Sequence, residues 1–559
     1  MKKLLLPLSV LTALIAGCAT SENMGSGAPP AVLAEPAAPE VVEMSYITQS
    51  RENLMIEPLS KRQMSAGSNL MMVAPSPSLE MTAPTANTEQ YQTNEPNPVH
   101  AVAKTPVSTF SIDVDTGSYT NVRRYLNNGR LPPVDAVRIE EMVNYFDYGY
   151  ATPKDGKPFA VHSAVFDSPW QKGAKVIRLG IKGKEMSTQA LPPANLVFLV
   201  DVSGSMSSEE KLPLAKHTLR VLTEQLRDVD TITLITYASG EEVVLPPTKG
   251  NKENKDKILT AINKLEASGS TNGEKAIQTA YDQAEKAYIK DGINRILLLT
   301  DGDFNVGVTD FNTLKGMVVE KRKAGVSLST FGFGQGNYNE KLMEQIADAG
   351  DGNYSYIDNK NEAKKVLHRQ LSSTLATIAQ DVKIQVEFNP ATVKEYRLIG
   401  YENRMLKQED FNNDKVDAGD IGAGHSVTAL YEIIPVGQQG WLGESRYQEV
   451  PTTKGKANEY ANVAVRYKLP NQDKSILMST PIANQSIAFA KADKDSQWAV
   501  AVASYAELLR GGKYAGSMDY KAVKALAEKQ KGDDAYGLKG EFIELVGIAD
   551  SLSSKKPQQ

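Results

Sequence analysis

Residues 196–206 read LVFLVDVSGSM. The apolar run from Leu196 to Val200 is short and unbroken, as a strand buried on both faces should be. It ends on Asp201, and Ser203 and Ser205 follow at alternate positions. In an extended turn, alternate side chains can converge on one point. Working outward, residues 191–375 alternate short apolar runs with amphipathic segments. The strand candidates are 195–200, 231–237, 295–300 and 327–333. One intervening helix carries Leu212, Ala215, Leu219, Leu222 and Leu226 on a single stripe. Another carries Ala276, Ile277, Ala280, Ala284 and Ala287, small enough for close packing on a sheet. The pattern predicts an α/β, doubly wound, Rossmann-like domain with its ligand site at the carboxyl ends of the strands.

Two more pieces suit such a site. Gly269-Ser270-Thr271-Asn272-Gly273 opens a helix with a hydroxyl among glycines, and the 295–300 strand delivers Asp301-Gly302. Asp201, Ser203, Ser205, Thr271 and Asp301 thus offer three hydroxyls and two carboxylates. One cysteine excludes a thiolate zinc cluster, and five scattered histidines argue against a His-rich metal centre. An all-oxygen set suits a hard cation, Mg²⁺ in the first place, with Mn²⁺ or Ca²⁺ as alternatives. With neutral hydroxyls in direct contact, the two aspartates would act through water or hydrogen bonds. The ion would then stay electrophilic, with a position open for a carboxylate from a partner.

FLVDVSGSM (198–206), GSTN (269–272) and LLLTDGDFNVG (297–307) resemble the metal-ion-dependent adhesion site of von Willebrand factor type A domains. TFGFGQGNYNEKLMEQIADAGDGNYSYI (330–357) resembles the closing strand–helix–strand of that fold. The resemblance implies that Asp201, Ser203, Ser205, Thr271 and Asp301 are the metal site. The flanks extend it. STFSIDVDTGSYTNVRRYL (108–126) and DAGDIGAGHSVTALYEI (417–433) resemble bacterial lipoproteins with a central von Willebrand type A domain and a family-specific C-terminal domain. That likeness covers roughly residues 95–555.

The remaining sequence supplies the setting. The chain of 559 residues is 41% apolar and 23% charged with a net charge of −5. This excludes a multi-span membrane protein, a collagen-like chain and a wholly disordered one, and shows no basic footprint for nucleic acid. Residues 1–17 (MKKLLLPLSVLTALIAG) read as a secretory signal, and Cys18 after Ile15-Ala16-Gly17 resembles a lipobox whose cysteine is acylated, for example with palmitate. Ala19 rather than Asp after it resembles the sorting pattern of Gram-negative outer-membrane lipoproteins. Residues 18–100 are rich in proline and hold only Tyr46 and Tyr91 as aromatics; they read as a mostly disordered tether. Residues 101–190 then read as an N-terminal family domain of helices and strands, 191–375 as the type A domain, and 380–555 as a C-terminal family domain of antiparallel strands followed by helices. Strands at 159–166 and 175–182 are expected to pair with strands between 380 and 470, so that the type A domain is inserted in a β-sandwich-like domain.

Three decoys are set aside. Asp115-Thr116-Gly117 looks like half an aspartic-protease site but lacks a second copy, and reads as a turn capping the next helix. Gly332, Gly334 and Gly336 do not have the dinucleotide spacing and fit a tight turn after a strand. Asn412–Gly424 has a calcium-loop look through Asp414, Asp417 and Asp420 but lacks the closing Glu, and reads as a surface turn. A serine hydrolase built on Ser203 or Ser205 would need a base, and the nearest histidine in sequence, His217, lies on the next helix. The expectation is therefore a non-enzymatic, membrane-anchored, cation-dependent protein-binding module of the cell envelope. Its partner would be a protein supplying an acidic residue. The alternative is a periplasmic assembly factor with a non-essential metal site.

Overall fold

The first strands pair with residues far along the chain. In the computed structural model, which describes residues 88–554 apart from 113–114, 155, 272, 303–310, 370–375, 444–455, 471 and 535, β1 (His100–Ala101) and β2 (Val107–Ser111) precede α1 (Gly117–Asn127) and α2 (Ile139–Asn144). His100 pairs with Tyr396, and Phe110 pairs with Ile384. Residues 107–111 carry only a weak local strand signal and form a strand because their backbone partners lie beyond residue 380. β3 (Phe159–Asp167) and β4 (Lys175–Gly183) follow as an antiparallel pair.

The chain then leaves to build a complete α/β unit. Its elements are β5 (Ala194–Asp201), α3 (Leu212–Gln225), β6 (Thr231–Tyr237), β7 (Glu241–Lys249), α4 (Lys252–Asn263), α5 (Gly273–Lys286), β8 (Ile293–Thr300), α6 (Phe311–Lys323), β9 (Ser327–Phe333), α7 (Glu340–Ala349), β10 (Tyr354–Ile357) and α8 (Lys360–Arg369). The sheet order is β10-β9-β8-β5-β6-β7, parallel except for β7 against β6. Every residue of β5 and β8 is buried. Leu196, Phe198 and Val200 face Leu219, Ile258 and Val366 on one side, and Val197 and Leu199 face Ile277, Ala280 and Val318 on the other. Helices on both faces make the sheet doubly wound, as expected. β7 escaped the sequence reading because Pro246-Pro247 breaks its pattern, which an edge strand tolerates.

On its return the chain adds β11 (Thr377–Phe388), β12 (Val393–Ile399), β13 (Ile421–Gly422), β14 (Ser426–Pro435), β15 (Glu459–Lys468) and β16 (Ile476–Ala483). One sheet runs β1-β12-β14-β4-β3; the other runs β13-β11-β15-β16 with β2 also on β11. β4 is hydrogen-bonded to β14 from Lys182↔Ser426 to Lys175↔Ile433. The two sheets enclose one core of Phe110, Leu179, Ile384, Tyr431 and Val463. Strands from both sides of the α/β unit therefore share one sandwich, which fixes that unit as an insertion.

Three C-terminal helices, α9 (Lys494–Leu509), α10 (Tyr520–Gln530) and α11 (Leu538–Ser553), complete the molecule. Asp493 and Asp519 cap α9 and α10 by accepting from Ser496 N and Ala522 N, both at 2.7 Å. In sequence, Trp498, Ala501, Val502, Tyr505, Leu508 and Leu509 mark one apolar side of α9. The helix is instead buried nearly all round, with small residues Ala499, Ala501, Ala503 and Ala506 letting α2 and α10 approach its faces, and Phe542 of α11 lying 5.3 Å from Trp498 between ring centroids. No helix among the described residues is long and apolar enough to cross a membrane. Cys18, the signal-like segment and nearly all of the tether lie outside the described residues.

Candidate metal centre

β5 and β8 are neighbours, so their last residues deliver Asp201 and Asp301 side by side at the carboxyl edge of the sheet. Both are fully buried. Asp201 is held at each oxygen: Oδ1 accepts from Ser203 N and Oδ2 from Thr300 Oγ1, each at 2.9 Å. Burial pushes the Asp201 carboxyl up to about 6, and the Asp301 charge adds to the rise. Ser203 Oγ and Ser205 Oγ stand 3.1 Å apart, with Ser203 buried and Ser205 exposed. The hydroxyls thus run from the floor of the site to its mouth.

Thr271 comes to this group through its loop. Gly204 N donates to Gly269 O at 2.9 Å, and Ser268 N donates to Val202 O at 2.7 Å, which lays the 268–271 loop against the 202–205 turn. Thr271 itself is buried. The structure therefore brings the strand ends and both loops together, with Asp201, Ser203 and Ser205 joined most tightly.

Sequence reasoning missed Lys211. Its Nζ donates to Asp301 Oδ2 and to Asn337 Oδ1, both at 2.9 Å, while Asn337 Nδ2 donates to the same Asp301 oxygen at 3.1 Å. The Gly334–Gly336 turn after β9 carries this arrangement. Gly334 has φ +75°, and a Cβ there would lie 2.3 Å from Lys211 Cγ. The tight-turn reading of these glycines holds; their use as a bed for a lysine stem had no sequence signal, since nothing local links residue 211 to 334–337.

The donor chemistry fits a hard cation. Among the described residues no group of three or more His, Cys, Asp and Glu side chains is arranged to hold a metal. Among the described residues, the donors a cation would meet at this edge are hydroxyls beside the two aspartates, a set that suits Mg²⁺ or Mn²⁺. Ser203 has Ser205 as its hydroxyl partner, and His217 stands on α3 with its Nε2 buried and unbonded, so the nucleophile–base contact of a hydrolase is not formed there.

Two decoys resolve differently from expectation. Asp115 does not cap α1. Its Oδ1 accepts from Tyr354 N at 3.0 Å and its Oδ2 meets Arg404 at 3.1 Å, because the start of α1 is buried against β10 and Glu141 serves Ser118 N instead. The 412–424 turn is on the surface only in part. Asp417 pairs with Arg322 at 2.6 Å, and Asp420 accepts from Asp381 N at 3.2 Å, which ties the turn to the inserted unit and to β11.

Comparison with known proteins adds the lineage. The profile of the von Willebrand factor type A domain matches residues 195–369, a von Willebrand factor profile matches 85–178, and the profile described as "Uncharacterized protein YfbK, C-terminal" matches 373–552. The Escherichia coli protein YfbK is 46% identical over 478 residues, covering 83% of this chain and 82% of its own. The human inter-alpha-trypsin inhibitor heavy chain H3 is 24% identical over 270 residues, 44% of this chain and 29% of its own. Among solved structures, a von Willebrand factor type A protein from Catenulispora acidiphila has 15% identity and a TM-score of 0.39, covering 74% of this chain and 99% of its own.

Proposed function

The chain belongs to the YfbK family, and from that premise we propose that it is a divalent-cation-dependent protein-binding module, tethered to the cell envelope through a lipid on Cys18. The observation that carries the reading is the convergence of Asp201, Ser203 and Ser205 beside Asp301 at the sheet edge, with a buried carboxylate floor and an exposed hydroxyl at the mouth. Ser203, Ser205 and Thr271 would hold Mg²⁺ or Mn²⁺, and Asp201 and Asp301 would balance its charge through water or hydrogen bonds. When bound, the ion supplies an electrophilic position for a carboxylate of a partner protein. The protein's own part is to fix the hydroxyls, exclude other donors and keep the carboxylates from quenching that demand. No catalytic step belongs to this reading.

Calorimetry on the full chain tests it first: uptake of Mg²⁺ or Mn²⁺ is expected, and loss of uptake in Asp201→Ala. Crosslinking in the native envelope with Mg²⁺ and with EDTA tests the second half. A partner captured with Mg²⁺ and lost with EDTA or in Asp201→Ala supports the reading. A partner indifferent to both would favour an assembly factor with a non-essential metal site. Lys211 gives that second reading its one specific support, because it already places a positive charge on Asp301.

A further inference from the structure

Lysine is an unexpected neighbour for a cation site. Lys211 is only 6% exposed. A buried ammonium is costly unless paired, and here its position is constructed. Its stem lies along Gly334, where a Cβ would come within 2.4 Å of Cε. Asn337 grips both the ammonium and the carboxylate that the ammonium meets. Three chain segments, the start of α3, the end of β8 and the turn after β9, thus meet to put one positive charge on Asp301.

We propose that Lys211 is an internal counter-cation of the metal site, lowering its affinity for the divalent ion and leaving the loaded site attractive to a carboxylate. This deepens the metal-binding reading above and rests on it. Two ionised aspartates and a divalent ion sum to no charge. With the Lys211 ammonium on Asp301, the same loaded set keeps one net positive charge. Like charges repel across a buried site, so the ammonium opposes the metal. The same field favours an incoming anion, and the acidic side chain of a partner answers it. Lys211 therefore exchanges metal affinity for ligand affinity.

The alternative role, in which Lys211 merely positions Asp301, predicts the opposite sign for metal binding. The test uses the full chain with Lys211→Met, which retains a stem for the Gly334 bed. Mn²⁺ titration followed by electron paramagnetic resonance is expected to give a Kd about tenfold lower in Lys211→Met than in the wild type. Acetate is expected to reach the bound Mn²⁺, read by water-proton relaxation, at about tenfold higher concentration in that variant. Circular dichroism of both proteins without metal reports folding. Should Lys211→Met fail to fold, Asn337→Ala, which releases one hold on the ammonium, is to move both constants in the same directions by a smaller factor. A Kd that is unchanged or higher in a folded variant, with the wild type binding Mn²⁺, overturns the counter-cation role and leaves the metal reading standing. If neither protein takes up Mn²⁺, the metal reading fails and this inference falls with it.

Discussion

Arg138 and Glu340 lie far apart in sequence and are paired in the buried junction between the N-terminal helices and α7, with Arg138 Nη1 donating to Glu340 Oε2 at 3.0 Å. Glu141 and Glu344 close on the same guanidinium. Burial pushes the Glu340 carboxyl above the usual carboxylate range, against the pull of Arg138. Removing one partner of such a set strands the others without water. Arg138→Met is therefore expected to cost about 3–5 kcal/mol in urea unfolding near neutral pH. A loss under about 1 kcal/mol would show that the cluster is solvated.

That junction also marks where sequence reading stops. Asp201, Ser203 and Ser205 are legible because strand, turn and donors are all local, and the buried run before them has few other readings. The insertion is legible because strands recur on both flanks of an alternating unit. Edge strands are not: β2, β7 and β16 are short, interrupted or half exposed, and exist through their partners. Lys211 reads as an ordinary polar residue before a helix, since the carboxylate that explains it is supplied by the end of another strand. Asp115 reads as a cap because it precedes a helix; its real partners, Tyr354 and Arg404, arrive from more than two hundred residues away.

Ser203 offers a clean separation of binding from folding. Its backbone N–H, which any residue supplies, holds Asp201 Oδ1. Ser203→Ala removes a proposed metal ligand and leaves that bond. The expected result is a metal Kd at least about tenfold weaker, with unfolding of the metal-free protein shifted by no more than about 1 kcal/mol. Calorimetry and urea titration on the same sample read both. Equal metal affinity in the two proteins would remove Ser203 from the coordination sphere.

If the proposed site takes up metal, Asp201 is expected to make that uptake pH-dependent. Its carboxyl is raised to about 6 without metal by burial, and further by Asp301. The cation needs the ionised form, so affinity is held above about 6 and declines as pH falls through that value, by about tenfold near pH 5. Binding at pH 5.5 is to release a proton, visible as a dependence of the calorimetric heat on the buffer's ionisation enthalpy. For folding without metal the sign reverses: a raised carboxylate favours the folded state more as pH falls. Uptake heats independent of buffer would place Asp201 outside the linkage.

His425 gives the sandwich its own acid sensitivity, away from the metal centre. It lies in the tight connection into β14, with its Nδ1 buried and unbonded and the Lys182 ammonium donating to the adjacent Gly424 carbonyl at 2.9 Å. Burial, then Lys182, depresses the imidazole to about 4. Above its ordinary value of about 6.5 the ring is neutral folded and unfolded, and its contribution is complete. Between about 6.5 and 4 only the unfolded chain takes up the proton, so stability falls with pH across that window and is lost below it. The cost by pH 4 is about 2 kcal/mol, reduced for the part of the ring that meets solvent. His425→Asn removes the titration and leaves every carboxylate in place. The difference between urea stabilities at pH 7 and pH 4.5 should therefore be larger in the wild type than in His425→Asn by about 2 kcal/mol. Parallel pH profiles for the two proteins would mean that the folded ring takes up its proton as readily as the unfolded one.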